Sequence, residues 1–171
     1  MVSRASTNDL RADLERLVYR HEQPQVARGE IASSWKRSLR VGLHPDTFAV
    51  PMYGEDFDQA ARLTCAAEPV LARLAQDVED SGIGVLVSDG DGRVIARRED
   101  EPSVVRLLDR ISLAPGFHYG ESLLGTNGIG TAIASARPSL VVGTEHFAEA
   151  LTGWTCAGGP IVSKKVMRCS T

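Results

Sequence analysis

The sequence is short of paired cysteines, net charge and long apolar runs, and each shortage removes a class of protein. Its three cysteines, Cys65, Cys156 and Cys169, are odd in number and far apart, with no CxxC pair. A disulfide framework and a structural zinc site both need closer spacing. Apolar runs such as Leu140-Val141-Val142 are a few residues long, whereas a spanning helix needs about 20. The start, Met1-Val2-Ser3-Arg4-Ala5-Ser6 followed by Asp9 and Arg11, has no apolar signal core. A cytoplasmic protein with no membrane partner is therefore expected. The net charge is only -3, while 43% of residues are apolar and 24% charged. That balance is globular, because a disordered chain carries fewer aliphatics and more unbalanced charge. At 171 residues the chain has room for one ordinary domain with a short appendage.

Charge is spread unevenly. Residues 1–41 carry +3 and the remainder -6. A basic front on an acidic body is compatible with nucleic acid, but +3 is weak. This front is helical by pattern. Leu10, Leu14, Leu17 and Val18 share a helix face, and Ser6 stands where a cap belongs. Pro24 closes that helix. Ile31, Trp35 and Leu39 mark a second helix, with Gly42 placed to end it. His44 to Pro51 reads as a connector. A longer helix is predicted from about Asp56 to Asp80, broken or kinked at Pro69. Phe57, Ala60, Thr64, Ala67, Leu71, Leu74 and Val78 form a seam at spacings of three and four, which suggests a helix-pairing or dimer face.

Strands follow. Gly84 to Ser88, the turn Asp89-Gly90-Asp91-Gly92 and Arg93 to Arg98 make a hairpin. Pro102 opens a helix, Asn127 is placed to cap another, and Pro138 stops it. Ser139 to Gly143 is a strand, Phe147 to Leu151 a short helical turn, and Trp154 to Val162 a strand weakened by Gly158-Gly159-Pro160. Helices, a hairpin, helices and more strands define an α+β class.

Several motifs fall short of the chemistry they evoke. Gly120-Glu121-Ser122-Leu123-Leu124 lacks the second glycine and the leading strand of a nucleophile elbow. Gly125-Thr126-Asn127-Gly128-Ile129-Gly130 has the spacing GxxGxG, without the strand a dinucleotide fingerprint follows. Close helix packing explains it more simply, although a helix N-terminus there could also receive an anion. Glu145-His146, His118 and Cys156 have no metal-ligand spacing. Asp89 and Asp91 are turn residues, since the rest of a calcium loop is missing. Cys156 has no basic neighbour in sequence to activate it. No catalytic residue, metal or cofactor is expected.

Three segments together resemble one family. Glu30-Ile31-Ala32-Ser33-Ser34-Trp35-Lys36-Arg37-Ser38 with Gly42-Leu43-His44-Pro45 is the first. Leu113-Ala114-Pro115-Gly116 with Gly125-Thr126-Asn127-Gly128-Ile129-Gly130-Thr131-Ala132 is the second, and Glu145-His146-Phe147 with Trp154-Thr155-Cys156 and Gly159-Pro160-Ile161 is the third. They resemble the GAF-type sensory domain of bacterial acetoin and glycerol metabolism regulators, which are sigma-54-dependent, Fis-type transcriptional activators. The resemblance covers about residues 28–162. It implies a central antiparallel sheet with flanking helices around a small-molecule cavity. The expected division is an N-terminal helical region and connector over 1–55, a GAF-like sensor over 56–162 and a divergent, disordered tail over 163–171. No ATPase or helix-turn-helix motif occurs in the sequence, and the tail departs from the family pattern where a further strand belongs, so a truncated relative or a fragment is expected.

What the resemblance implies for function is a sensing module of a transcriptional regulator that signals the occupancy of an unidentified small molecule through a homodimer. The candidate lining is Phe117, His118, Glu121, Asn127, His146, Trp154 and Cys156. Aromatics would be walls, His118 and Asn127 hydrogen-bond partners, and Cys156 the floor. One alternative is a GAF-fold methionine sulfoxide reductase, which would require Cys65 and Cys156 to meet. Another is a truncated relative that does not signal. Direct DNA binding by Trp35, Lys36, Arg37 and Arg40 is not expected, as no paired recognition helix accompanies them.

Overall fold

The computed structural model describes residues 6–47, 51–54 and 62–161. They divide into two compact units. Unit 1 draws on 1–49 and 120–160, and unit 2 on 50–119 with the residues after 160.

Unit 1 begins with α1 (Thr7–Arg20), which buries Leu10, Leu14 and Leu17 on one face. Ser6 caps it, its hydroxyl accepting from the Asn8 N–H. After the left-handed His21 and Pro24 the chain folds back over α1. Asp13 fixes this return: its carboxylate accepts from the N–H groups of Gln25, Val26 and Ala27 and from Arg16. Helix α2 (Gly29–Arg40) buries Ile31, Ser34, Trp35 and Ser38. Gly42, with φ of 84°, lies just beyond its end and lets the chain turn.

Residues 120–160 supply α5 (Glu121–Leu124), α6 (Gly128–Ser135), β3 (Ser139–Val142), two 3-10 turns (Gly143–Glu145 and Glu149–Leu151) and β4 (Thr155–Gly158). Strands β3 and β4 pair antiparallel, with Val141 opposite Cys156. Strand β4 is shorter than the sequence predicts, because Gly159 and Pro160 end it and proline has no N–H to donate. One core joins the pieces: Leu10, Leu14 and Leu17 of α1, Ile31 and Trp35 of α2, Val141 and Phe147. Each of these side chains contributes about 1.5–3 kcal/mol on leaving water.

Unit 2 contains α3 (Arg62–Asp77), β1 (Val85–Ser88), β2 (Val94–Arg98) and α4 (Pro102–Arg110). The predicted hairpin forms antiparallel. Asp89 stabilises its turn, its carboxylate accepting from the Asp91 and Arg93 N–H groups. Helix α3 continues through Pro69 and lies against β1 and β2. Of the predicted seam, Ala67 and Leu71 are buried within the unit, whereas Leu74 is exposed beside Val70. Phe57 and Ala60, like the predicted helix before residue 62 and the tail with Cys169, lie outside the described residues. The α+β class and antiparallel pairing are thus present, with the described strands in two separate pairs. No helix among the described residues is long and apolar enough to cross a membrane.

Candidate functional site

In unit 1 buried polar groups tie the first motif segment to residues 125–132 of the second and to the third. Glu121, at the first position of α5, meets Arg37 of α2 at two points: Nε donates to Oε1 at 2.5 Å and Nη2 to Oε2 at 2.9 Å. The Ser34 hydroxyl donates to Glu121 Oε2 at 2.6 Å and lies 2.7 Å from Thr126 Oγ1 and 3.2 Å from Thr131 Oγ1. Paired with this carboxylate, the Arg37 guanidinium is held above its ordinary range despite some burial. A second clamp joins the residue that caps α2 to the 3-10 turn after β3. Arg28 donates through Nε to Glu145 Oε1 at 2.8 Å and through Nη2 to Oε2 at 2.7 Å. Glu145 also accepts from the Val142 N–H, and its carbonyl accepts from Trp35 Nε1 at 2.8 Å.

The Gly-rich segment is a close-packing device. Asn127 caps α6, Oδ1 accepting from the N–H groups of Ile129 and Gly130 while Nδ2 donates to the Gly125 carbonyl. A Cβ on Gly128 would stand 2.7 Å from the Cys156 Cβ, and one on Gly158 2.0 Å from the Gly128 oxygen. Only glycines let α6 approach β4 this closely.

Of the seven predicted lining residues, the structure puts Glu121, Asn127, His146, Trp154 and Cys156 in unit 1, and Phe117 and His118 in unit 2. Phe117 stacks edge-on to Tyr53 with ring centres 5.2 Å apart, and His118 sits in an isolated bridge with Arg93. The polar atoms of Glu121 and Asn127 are engaged as described above. Trp154 is half-buried, and its backbone N–H donates to the Leu151 carbonyl. Burial pushes the Cys156 thiol up against the opposing pull of the Gly128 N–H. His146 is fully buried. Its Nδ1 lies 3.0 Å from the Gly143 carbonyl, and Nε2 has no hydrogen-bond partner among the described residues. Burial holds this imidazole below its usual pKa, against the Gly143 carbonyl and the Glu145 charge.

Sequence patterns did not single out Arg37, Ser34, Thr126, Thr131 or the Arg28–Glu145 clamp as parts of the site. All but Arg28 lay inside the motif segments, which was the available signal. Elsewhere in unit 1, a cavity of about 80 Å³ lies beside Arg11, Tyr19 and Asp46 and includes none of the predicted lining. No group of three or more His, Cys, Asp or Glu side chains is placed to hold a metal among the described residues.

Unit 1 is thus a helical front docked by ion pairs onto a glycine-rich α/β segment. The same fold occurs in a chain of the crystal structure of the E. coli DhaR(N)-DhaL complex, with a TM-score of 0.73 over 82% of this chain and 49% of that one. At 18% identity the likeness is one of fold. The chain belongs to the family of the MimR N-terminal domain, whose pattern matches residues 5–170. It is 40% identical over 139 residues to the propane 2-monooxygenase operon transcriptional activator MimR of Mycolicibacterium smegmatis, covering 81% of this chain and 24% of that protein. It is 29% identical over 140 residues to the acetoin dehydrogenase operon transcriptional activator AcoR of Bacillus subtilis, covering 78% and 23%. The chain therefore spans about a quarter of the length of these curated relatives. Both are named as transcriptional activators, the class of regulator that the motif segments resemble.

Proposed function

We propose that this chain is the ligand-sensing module of a transcriptional activator. Unit 1 takes up a small molecule near His146, Trp154 and Cys156, with Glu121 and Asn127 as the frame. The observation that carries this is the Arg37–Glu121–Ser34 network, which ties α2 to the glycine-rich segment. A change at α5 or α6 therefore has a rigid, buried route to the N-terminal helices. Signalling requires a ligand that binds two states unequally, and such a linkage lets occupancy shift their populations. A homodimer receives that shift, with Val70 and Leu74 of α3 as its exposed apolar candidates. Thermal shift against short alcohols, ketones and hydroxyketones tests the reading, with Trp154→Ala as the comparison. A saturable rise in melting temperature that the variant loses is expected, and no rise with any compound contradicts it.

A second reading has a protein as the effector, since the fold neighbour comes from a two-protein complex. Saturable small-molecule binding by the isolated chain favours the first.

A further inference from the structure

In unit 2 residues 116–119 extend the hairpin, running between 92–94 on one side and 52–54 on the other. The N–H groups of Val94 and Tyr119 donate to the Phe117 and Gly92 carbonyls, and those of Gly54 and His118 to the Gly116 and Met52 carbonyls. Arg93 and His118 therefore face each other between two ladder bonds, and the side chains of such a pair stand close together on one face. Phe117 and Tyr53 pair on the opposite face.

Both members of the Arg93–His118 pair are half-buried. Arg11, Arg16, Arg37 and Arg97 are half-buried too, and each of them faces a carboxylate. Arg93 faces none among the described residues. A cation drawn partly out of water without a counter-charge is costly, and an anion offsets that cost. The guanidinium lies flat on Gly54: a Cβ there would stand 2.9 Å from Cζ, 3.0 Å from Nη1 and 3.1 Å from Nη2. These near-equal distances set one face of the group on the backbone and leave its edge free. Nε is sealed from water without a partner, whereas Nη1 and Nη2 are not sealed. The reachable edge is therefore the two-pronged Nη1–Nη2 fork.

His118 adds a third donor. Its Nδ1 is sealed and unpartnered, and Nε2 is not sealed. A hydrogen on Nδ1 would be an orphaned buried donor, so the neutral ring carries it on Nε2, and a protonated ring carries one there as well. Three donors on one open face call for an oxyanion that accepts from all of them. Charge narrows the class. The Asp89 carboxylate accepts from the Arg93 N–H at 2.8 Å, so the fork's single positive charge already has an acidic neighbour. A singly charged carboxylate suits that balance better than a phosphate dianion.

We propose that the Arg93 fork and His118 Nε2 form a binding site for a small monocarboxylate in unit 2, separate from the unit 1 site proposed above. The guanidinium holds the two carboxylate oxygens, and the imidazole N–H donates to one of them.

The test uses the full chain labelled with carbon-13 and nitrogen-15 on arginine and histidine, titrated with acetate, propanoate, inorganic phosphate and methyl acetate. Acetate and propanoate are expected to move the Arg93 and His118 side-chain signals saturably, with half-saturation at about 1 mM. The signals of exposed Arg106 and Arg110 are expected to stay in place. Phosphate is expected to bind about tenfold more weakly, and methyl acetate, which carries no charge, to move nothing. Arg93→Lys keeps the charge without the fork and is expected to weaken propanoate binding about tenfold. Arg93→Gln, with its fold checked by the unit 1 amide spectrum, is expected to abolish it. Shifts that never saturate, equal movement at Arg106 and Arg110, or full binding by folded Arg93→Gln would overturn the site. Tighter binding of phosphate than of either carboxylate would overturn the assigned ligand class.

Discussion

Arg37 and Glu121, 84 positions apart in sequence, form a two-point ion pair in which the carboxylate is buried and the guanidinium partly exposed. The asymmetry makes the two partners unequal. Arg37→Ala leaves a buried carboxylate without its cation and is expected to destabilise by about 3 kcal/mol. Glu121→Gln leaves an arginine that water still reaches and is expected to cost about 1 kcal/mol. Urea unfolding of both variants checks the order, and equal losses would contradict it.

Asp13 and His146 give stability two acid-sensitive windows. The Asp13 carboxyl is raised by burial but lowered more by the N–H groups of Gln25, Ala27 and Val26 and by Arg16, so its folded pKa lies below its usual 3.8. It therefore stabilises the fold above that value, and the contribution fades as pH falls through the folded pKa. His146, depressed by burial from 6.5, is neutral when folded. The unfolded chain takes up its proton first, so stability falls as pH drops below about 6.5. Asp13→Asn is expected to flatten the lower window and His146→Phe the upper one, as read from unfolding midpoints across pH.

Glycine substitutions sort by what a Cβ meets. Gly158→Ala would press on the Gly128 oxygen at 2.0 Å and Gly128→Ala on the Cys156 Cβ at 2.7 Å. Both are expected to destabilise by more than about 2 kcal/mol, as overpacking does. Gly29→Ala meets nothing within 4 Å and is expected to leave stability unchanged or slightly raised. Melting temperatures of the three variants decide.

Cysteine reactivity separates a structural thiol from a redox sensor. Cys65 is exposed, whereas Cys156 is partly buried and its thiol is pushed up. Peptide-resolved alkylation near neutral pH is expected to modify Cys65 at least about tenfold faster, since the thiolate is the reacting form. Faster modification of Cys156 would point to a sensing thiol.

Local signals in the sequence account for much of this fold. Leu10, Leu14 and Leu17 mark α1 by spacing, Asn127 marks the cap of α6, and the Asp-Gly turn marks the β1–β2 hairpin. What stayed hidden is pairing over long separations. That Ile31 and Trp35 share a core with Val141 and Phe147 leaves no periodic trace in either segment. The α3 seam shows the same limit: its spacing marks a buried stripe, but not whether Ala67 and Leu71 meet another helix or the hairpin of their own unit. Five of the seven lining residues came from segments that unit 1 gathers, yet pattern alone could not tell the engaged Glu121 and Asn127 from the unpartnered His146 Nε2.

The most direct measurement is native mass spectrometry of the freshly purified chain, compared with its denatured mass. The expected result is a folded species carrying one small molecule, released on denaturation and reduced in occupancy by His146→Phe in a folded variant. A folded chain at its bare sequence mass that takes up none of the alcohols, ketones or hydroxyketones at saturating concentration would contradict a small-molecule sensor.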